Sequence, residues 1–462
     1  MNKRIIVFLL LIFTIQSKAF FNNEVVLPKY YKKLSTFSGD ISEKKSFHLI
    51  FTKNKKTKNY KAFSYVFDGD KVTELPGFTN DKPYNILSYH NKNNVLTLLL
   101  SHTVRKKSFL IKVDYDLVTK KITKSNAVNH LKFEKVLREK ERSVLIYKKD
   151  NFLTIKLFSG NNQVVVKQLK INKLDKINDY FRDDFIGAVK TDEFIKNGSA
   201  TRFKLYLDKN ELIFTKDTKL FSNTEVIRLN FNNDKILVNQ SSYDNNLDEE
   251  TIDMGSFYSN QKVYQVIIRK EKSFISIFNS ETNKKLKTIV LDESLNSYIK
   301  NNKFQGILKF LKSSKKPEHI ITIAVNNTRN NKIRIRLDYV DINYRYNNNF
   351  WFQQQMMREM NRNLMQINLP KGFGPKPLDD TSLFFSISKE KRFFELLIDE
   401  NCQLLNEDLP SSIYKEVNKT KYWNNLNSSA GTFDSSCFLL NNFRYFFYNK
   451  HSKKFIFKSK NL

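Results

Sequence analysis

Glycine and proline are scarce in this 462-residue chain, at 11 and 8 residues, which argues against long disordered linkers. Cysteine is scarcer still. Cys402 and Cys437 are the only two, so one disulfide is the most the chain can form. Closing a loop of about 35 residues would contribute ~3 kcal/mol in the chain-entropy model. Two separate buried thiols are the alternative, and spacing alone does not choose between them. Acidic charge is also short. Asp and Glu total 47 against 79 Lys and Arg, a formal charge of +32. Long apolar runs are missing after the N-terminus, so no second segment offers a membrane span. No Pro-, Ser- or Gly-rich boundary divides residues 20–462, which favours one continuous unit.

What is present begins with an export signal. Lys3 and Arg4 precede an apolar run from Ile5 to Ile15 broken only by Thr14, and Ser17-Lys18-Ala19 sets small residues where a signal peptidase reads. Cleavage is expected after Ala19. The run is too short to cross a bilayer, which takes roughly twenty residues. An uncleaved anchor extended by Phe20 and Phe21 is the competing reading. No cysteine lies near the cut, so a lipidated first residue is excluded. The expected location is periplasmic or extracellular.

Forty per cent apolar and 14% aromatic residues are enough for a real core. The positive charge would attract anionic polymers such as acidic polysaccharide or lipopolysaccharide phosphates. Lys, Asn, Ile, Phe and Tyr are also the residues that AT-rich codons supply, so charge by itself assigns no ligand. The clusters Lys53 to Lys58 and Lys450 to Lys460 read as solvated turns and strand ends. They lack the regular aromatic spacing of a single-strand-binding surface, which argues against a nucleic-acid module.

Strand-like stretches dominate from residue 46 onward, and they repeat. A strand ends on an aromatic or aliphatic residue plus Asp, Asn or Ser, a polar turn follows, and another strand begins. Tyr65-Val66-Phe67-Asp68 precedes Lys71, Val113-Asp114-Tyr115-Asp116 precedes Lys121, and Ile155 to Ser159 precedes Gln163-Val164. Leu205-Tyr206-Leu207-Asp208 precedes Glu211, Ser276 to Asn279 precedes Lys285, Leu397 to Asp399 precedes Gln403, and Phe447 to Asn449 precedes Lys454. A short Asp or Asn side chain can accept from backbone N–H groups two residues on, which starts a turn. The copies recur roughly every 40 to 50 residues, with wider gaps in the middle, as four-stranded propeller blades do. The turns Phe278 to Lys285 and Tyr448 to Lys454 resemble those of secreted bacterial β-propellers. That resemblance implies a fold and no activity: an all-β propeller of about six to eight blades, seven favoured. Tandem β-sandwiches are the alternative. Strand Glu24 to Leu27 and the last strand around Phe455-Ile456-Phe457 are placed to share one blade.

Three segments interrupt the pattern. Phe352, Met356, Met360, Leu364 and Ile367 recur at helical spacing within residues 350–369, predicting an inserted amphipathic helix stopped by Pro370. It packs on its own domain or docks a partner. Asp244 to Glu250 alternates oxygen side chains like a calcium loop, but Glu249 occupies the glycine position and Gly255 that of the bidentate glutamate. A solvated acidic loop is the alternative, and the metal question stays open. Ser313-Ser314-Lys315-Lys316 matches Ser-x-x-Lys without specificity in so lysine-rich a chain.

No catalytic constellation emerges. There is no nucleophile elbow, phosphate loop or dinucleotide fingerprint. His48, His90, His102, His130, His319 and His451 show no metal-ligand spacing. Asp183-Asp184 and Asp379-Asp380 are sequence neighbours, which a strand would point to opposite faces. No cofactor is expected. The sequence therefore favours an exported, monomeric, non-enzymatic binding or scaffold protein of the cell envelope, whose partner is a protein or an anionic glycan. The alternative is a hydrolase or lyase acting on an acidic polysaccharide, with carboxylates and tyrosines gathered at one mouth.

Overall fold

The computed structural model describes residues 23–69, 71–104, 107–130, 135–159, 164–172, 175–182, 187–198, 201–245, 250–300, 306–341, 393–417, 419, 422, 434–449 and 451–462. The export-signal segment, the helix expected at 350–369, and Asp183-Asp184 and Asp379-Asp380 lie outside the described residues.

The described strands form seven sheets, most of them runs of consecutive antiparallel strands. Sheet 7 takes its outer strand β1 (Glu24–Val25) from the N-terminal part of the chain. Sheet 1 holds β2 (Tyr31–Asp40), β3 (Lys45–Asn54), β4 (Tyr60–Asp68) and β5 (Lys71–Asn80). Sheet 2 holds β6 (Asn85–Lys92), β7 (Val95–Val104), β8 (Lys107–Asp116), β9 (Ile122–Lys124) and β10 (Val128–His130), the last two both pairing with β8. Sheet 3 is β11 (Lys135–Arg138), β12 (Ser143–Lys149), β13 (Phe152–Phe158) and β14 (Val164–Lys170). Helix α1 (Ile177–Arg182) leads to sheet 4: β15 (Gly187–Val189), β16 (Phe203–Asp208), β17 (Glu211–Thr218), β18 (Asn223–Asn230) and β19 (Leu237–Asp244). Sheet 5 is β20 (Thr251–Ser259), β21 (Lys262–Arg269), β22 (Phe274–Asn279) and β23 (Lys285–Val290). Helix α2 (Ile307–Ser314) precedes sheet 6: β24 (His319–Asn327), β25 (Ile333–Asp341), β26 (Phe394–Ile398) and β27 (Leu404–Leu405). Sheet 7 is completed by β28 (Ser435–Phe438), β29 (Asn442–Asn449) and β30 (Lys454–Asn461), with Glu24 opposite Ile456.

This is the all-β, propeller-type organisation. Tandem sandwiches would distribute neighbouring strands between two facing sheets, whereas here six of the sheets close on strands from one local stretch and the seventh adds only β1. The chain falls into two compact units, Met1–Pro83 with Ala430–Leu462, and Tyr84–Ser429. The first holds sheets 7 and 1, whose shared core is Ile50, Phe63, Tyr65, Phe67, Phe446, Phe455 and Phe457. The second holds sheets 2 to 6. Leu99 meets Leu145 and Tyr147 between sheets 2 and 3, and Val144 and Ile146 meet Leu205 and Phe214 between sheets 3 and 4. A larger cluster joins sheets 4, 5 and 6 through Tyr206, Val266, Ile275, Ile323 and Leu337. Each such fully buried side chain contributes roughly 1.5–3 kcal/mol.

Three of the repeated turns form with the side-chain bond expected. Oδ1 of Asp116 accepts from the amides of Val118 and Thr119, both at 2.9 Å. Asn279 does the same for Glu281 and Thr282, and Asn449 for His451 and Ser452. In each, the fourth residue on turns left-handed: Lys120 (φ 56°), Asn283 (58°) and Lys453 (56°). A chain so poor in glycine uses lysine and asparagine where the backbone needs positive φ. Asn93-Asn94 and Asn260-Gln261 even take positive φ twice in succession, closing two-residue hairpins.

All seven turns read from the sequence are hairpins, one in each sheet, but their phase is not constant. In sheets 1, 2, 3, 5 and 6 the turn joins the third and fourth strands. In sheet 4 it joins β16 to β17, and in sheet 7 β29 to β30, because β1 supplies the outer edge there. The widest interval, from Asn279 to Asp399, falls between two sheets of the same phase and holds α2 and the residues 342–392 that separate β25 from β26.

Candidate functional site

Between β15 and β16 the chain runs as an irregular segment, Lys190–Gly198, whose residues Phe194 to Gly198 are buried. Asn326 on β24 clamps it by a pair of bonds, accepting from Ile195 N at 2.9 Å and donating to Ile195 O at 2.8 Å. Gly198 passes so close to β20 and β24 that a Cβ would stand 2.3 Å from Phe257 and 2.5 Å from the Ile323 carbonyl. Only glycine fits there. Two carboxylates tie the strands behind it together. Asp217 accepts from Lys204 Nζ (2.5 Å) and from Ser256 N (3.0 Å), and Asp253 accepts from Ile321 N (2.6 Å). Burial pushes the Asp253 carboxyl up to about 6, against the two backbone donors that favour its charged form.

At the end where β16, β20 and β24 finish, this segment walls a cavity of about 190 Å³. Thr191, Glu193 and Ile195 form one side, Tyr206 and Asp208 another, and Phe257 to Asn260 a third. Val325 to Asn327 and then Ser412 and Tyr414 close it. Ile413 N bonds Asn327 O at 2.9 Å, which fixes the last wall to β24. The volume lies well below the roughly 300–1,000 Å³ of small-molecule sites and suits one side chain or one small polar group. Tyr206 meets Phe257 edge-on at 5.6 Å and Tyr258 at 5.7 Å. Burial pushes the Tyr258 phenol up to about 12, so it stays protonated and able to donate.

Charge around the cavity is matched almost acid by acid. Arg142 holds Glu139 at 2.5 Å, Arg228 grips Glu211 through two nitrogens at 2.9 and 3.0 Å, and Lys419 pairs with Glu193. Deeper, Glu416 receives Lys196 and Arg336, each at 3.1 Å. Burial pushes its carboxyl up, but the two cations outweigh this and hold it low. Asp208 is the exception. Its carboxylate makes no hydrogen bond or ion pair among the described residues, and burial raises its pKa, with Lys209 the largest opposing influence and Glu211 adding to the rise. Among the described residues the lining contains no histidine, cysteine, lysine or arginine.

Apart from Tyr206 and Asp208, the described residues singled out from sequence fall elsewhere. His48 is fully buried between Ser38 (2.8 Å) and Ser46 (2.9 Å), and burial with nearby Arg444 lowers it to about 3. His90 bonds Ser143 at 3.0 Å and is lowered to about 4, first by burial and then by Lys112. Both sit in a Ser-aromatic-His triplet, a small repeat that the sequence reading missed. His102 stacks on Phe109, His319 on Tyr339, and His451 lies in an exposed turn. No cluster able to hold a metal ion occurs among the described residues. Of the calcium-loop candidate, residues 246–249 lie outside the described residues. Asn245 turns inward to Gln265, Ser276 and Lys285 instead of toward a cation. Ser314 bonds the carbonyl of Leu311 and Lys315 that of Lys270, so both serve the end of α2. Cys402 and Cys437 are separate buried thiols. The pocket draws on five separate stretches of chain, of which the turn pattern marked only Tyr206 and Asp208.

No family model matches the sequence, and no curated protein matches it. Among solved structures, Hsv2 of Kluyveromyces lactis is similar at 8% identity and a TM-score of 0.28, over 93% of this chain and 98% of that one. The WD40 domain of SCAP from fission yeast matches at 8% and 0.27, over 70% and 88%. TolB from Acinetobacter baumannii matches at 14% and 0.23, over 57% and 55%. Likenesses this distant carry no argument about activity or partner, and the fold rests on the sheets themselves.

Proposed function

We propose that the chain is an exported, non-enzymatic binding protein of the cell envelope, and that the pocket beside Asp208 takes a cationic side chain of a protein partner. The observation that carries this reading is the carboxylate of Asp208, left without a partner where the neighbouring acids each have one. Asp208 is half-buried, and a carboxylate partly withdrawn from water without a hydrogen bond carries a cost that a lysine or arginine inserted among Tyr206, Tyr258 and Asn260 would offset. The aromatic faces favour the same guest. Export rests on residues 1–19, and N-terminal sequencing of the mature protein is expected to begin at Phe20.

The test uses the mature chain and calorimetric titration with short peptides that differ only in one Lys, Arg or Gln. Cationic peptides should bind, the Gln peptide should not, and Asp208→Asn should abolish the difference. Equal binding of all three, or an unaltered Asp208→Asn protein, would sink the reading.

A second reading has one observation in its favour. Glu193 and Asp208 line the same cavity as three tyrosines, and glycoside hydrolysis employs a pair of carboxylates. A lining with no cation suits a neutral glycan better than an acidic polysaccharide, and Lys419 already engages Glu193. Turnover of a glycan that is lost in both Glu193→Gln and Asp208→Asn would establish it over the binding role.

A further inference from the structure

The unit made of Met1–Pro83 and Ala430–Leu462 has one end crowded with lysines. There β2 begins, β3 ends and β4 begins, with Lys32 opposite Lys53 and Lys53 opposite Tyr60. Lys55 N bonds the Tyr30 carbonyl at 2.8 Å, which brings the Lys55 to Lys58 turn against the start of β2. Turn β29–β30 lies at the same end, since the Lys33 amine sits 5.8 Å over Tyr448 and pairs with Asp434. The Lys55 to Lys58 turn and the start of β30 at Lys454 are thus neighbours.

Lys32, Lys53, Lys55, Lys56, Lys58 and Lys61 make no ion pair among the described residues. The acids at this end do not compensate them: Glu24 is engaged by Lys454 at 2.7 Å, Asp434 by Lys33, and Asp81 alone remains. At the opposite end of the same strands charge is mixed, with Lys45 paired to Asp68 at 2.9 Å. Several of the lysines are instead held by rings. Lys56 Nζ stands 3.9 Å from the Tyr30 centroid, Lys53 5.4 Å from Tyr60, and Lys61 4.6 Å from Phe63. A π face restrains an ammonium without neutralising it, so the cations are oriented while their charge stays available. Soluble surfaces ordinarily mix both signs.

We propose that this end binds a linear acidic polysaccharide, its repeating anionic groups seated on the lysines that Tyr30, Tyr60 and Phe63 hold in place. A nucleic acid fits less well. The faces of Tyr30 and Tyr60 that bases would stack on carry lysines, and the patch offers lysine point charges where bidentate phosphate recognition uses arginine. Arg444, the arginine of sheet 7, is buried on Phe67 and donates to the carbonyls of Phe67 and Gly69. The surface stands apart from the pocket reading, since the two are probed with different ligands and different variants.

The experiment titrates the mature chain with fluorescent oligogalacturonate, against neutral dextran, oligo-dT and phosphatidylglycerol vesicles. Oligogalacturonate should bind with an affinity that falls as salt rises. A variant carrying Lys53→Gln, Lys55→Gln, Lys56→Gln and Lys58→Gln should lose roughly tenfold or more and show a shallower salt dependence. A charge-matched control, Lys270→Gln, Lys272→Gln, Lys312→Gln and Lys316→Gln in the other unit, should bind as the parent does. Tyr30→Leu should weaken binding without altering net charge. Equal loss in the control set would reduce the effect to net charge and overturn the proposal. Tighter binding to oligo-dT or to vesicles, or no binding to oligogalacturonate, would overturn it as well.

Discussion

The pocket of the Tyr84–Ser429 unit and the lysine-rich end of the other unit treat charge in opposite ways. Around the pocket, Arg142, Arg228 and Lys419 each neutralise an acid, and Asp208 is what remains. At the lysine-rich end the cations rest on Tyr30, Tyr60 and Phe63. A cation gripped by a carboxylate is quenched as well as positioned, whereas one lying on a ring is positioned only. The first arrangement leaves one charge of defined sign in a small concave space. The second keeps many charges of one sign on an exposed turn and the strand ends beside it.

Substitutions that break one region should spare the other. The largest effect is expected from Gly198→Ala, where the new methyl has no room against Phe257 and the Ile323 carbonyl. A loss of about 3 kcal/mol or more should appear in denaturant unfolding. Cationic peptide binding should vanish with it while oligogalacturonate binding persists. Next comes acidity. The folded pKa of Asp253 is raised to about 6, so its contribution is most favourable at low pH and is lost as pH rises through that value. Amide exchange in β20 and β24 should show a decline on the order of 2 kcal/mol from pH 4 to 7. Asp253→Asn should flatten it.

The smaller effects pair the two regions. Asp208 is likewise raised, so the protonated form is the one that folding favours. Asp208→Asn should gain about 0.5 kcal/mol at neutral pH after solvent screening, while losing the peptide. In the parent, peptide binding should strengthen as pH rises out of the acidic range, and polysaccharide binding should not follow it. Lys58, left-handed at φ 63°, is the counterpart at the other end. Lys58→Gly should gain about 0.5 kcal/mol or slightly less in thermal unfolding, yet weaken polysaccharide binding. Either residue losing stability on substitution would contradict the idea that each retains charge at the expense of the fold.

Much of the fold was legible because its turns are written locally. Asp116, Asn279 and Asn449 act through side chains that reach only two or three residues along, and that information survives in a single sequence. The phase of each hairpin within its sheet did not, since β15 pairs in parallel and β1 joins β30 from the far end of the chain. The pocket was mostly illegible for a related reason. Asp208 belongs to a turn that could be read, but its lack of a partner depends on where Arg142, Arg228 and Lys419 were drawn. The lysine cluster at residues 53–58 was visible and was discounted for missing aromatic neighbours. Tyr60 stands two residues beyond Lys58 and could have been read, but Tyr30 and Tyr448 come from distant stretches, so no spacing rule along the chain could supply them.

The pairing of Glu24 with Ile456 and of Val25 with Phe455 sets an order of events. Sheet 7 lacks its outer strand until residues from the two ends of the chain meet, and the core of Phe446, Phe455 and Phe457 with Ile50 and Phe63 has to wait for the same encounter. Such long-range closure is slow compared with the local hairpins. A chain emerging from a ribosome or a translocation pore would therefore carry formed hairpins and one unsealed unit until β30 has emerged. A variant truncated before β30 should remain bound to chaperones and exposed to proteases, with the sheets of the Tyr84–Ser429 unit already protected.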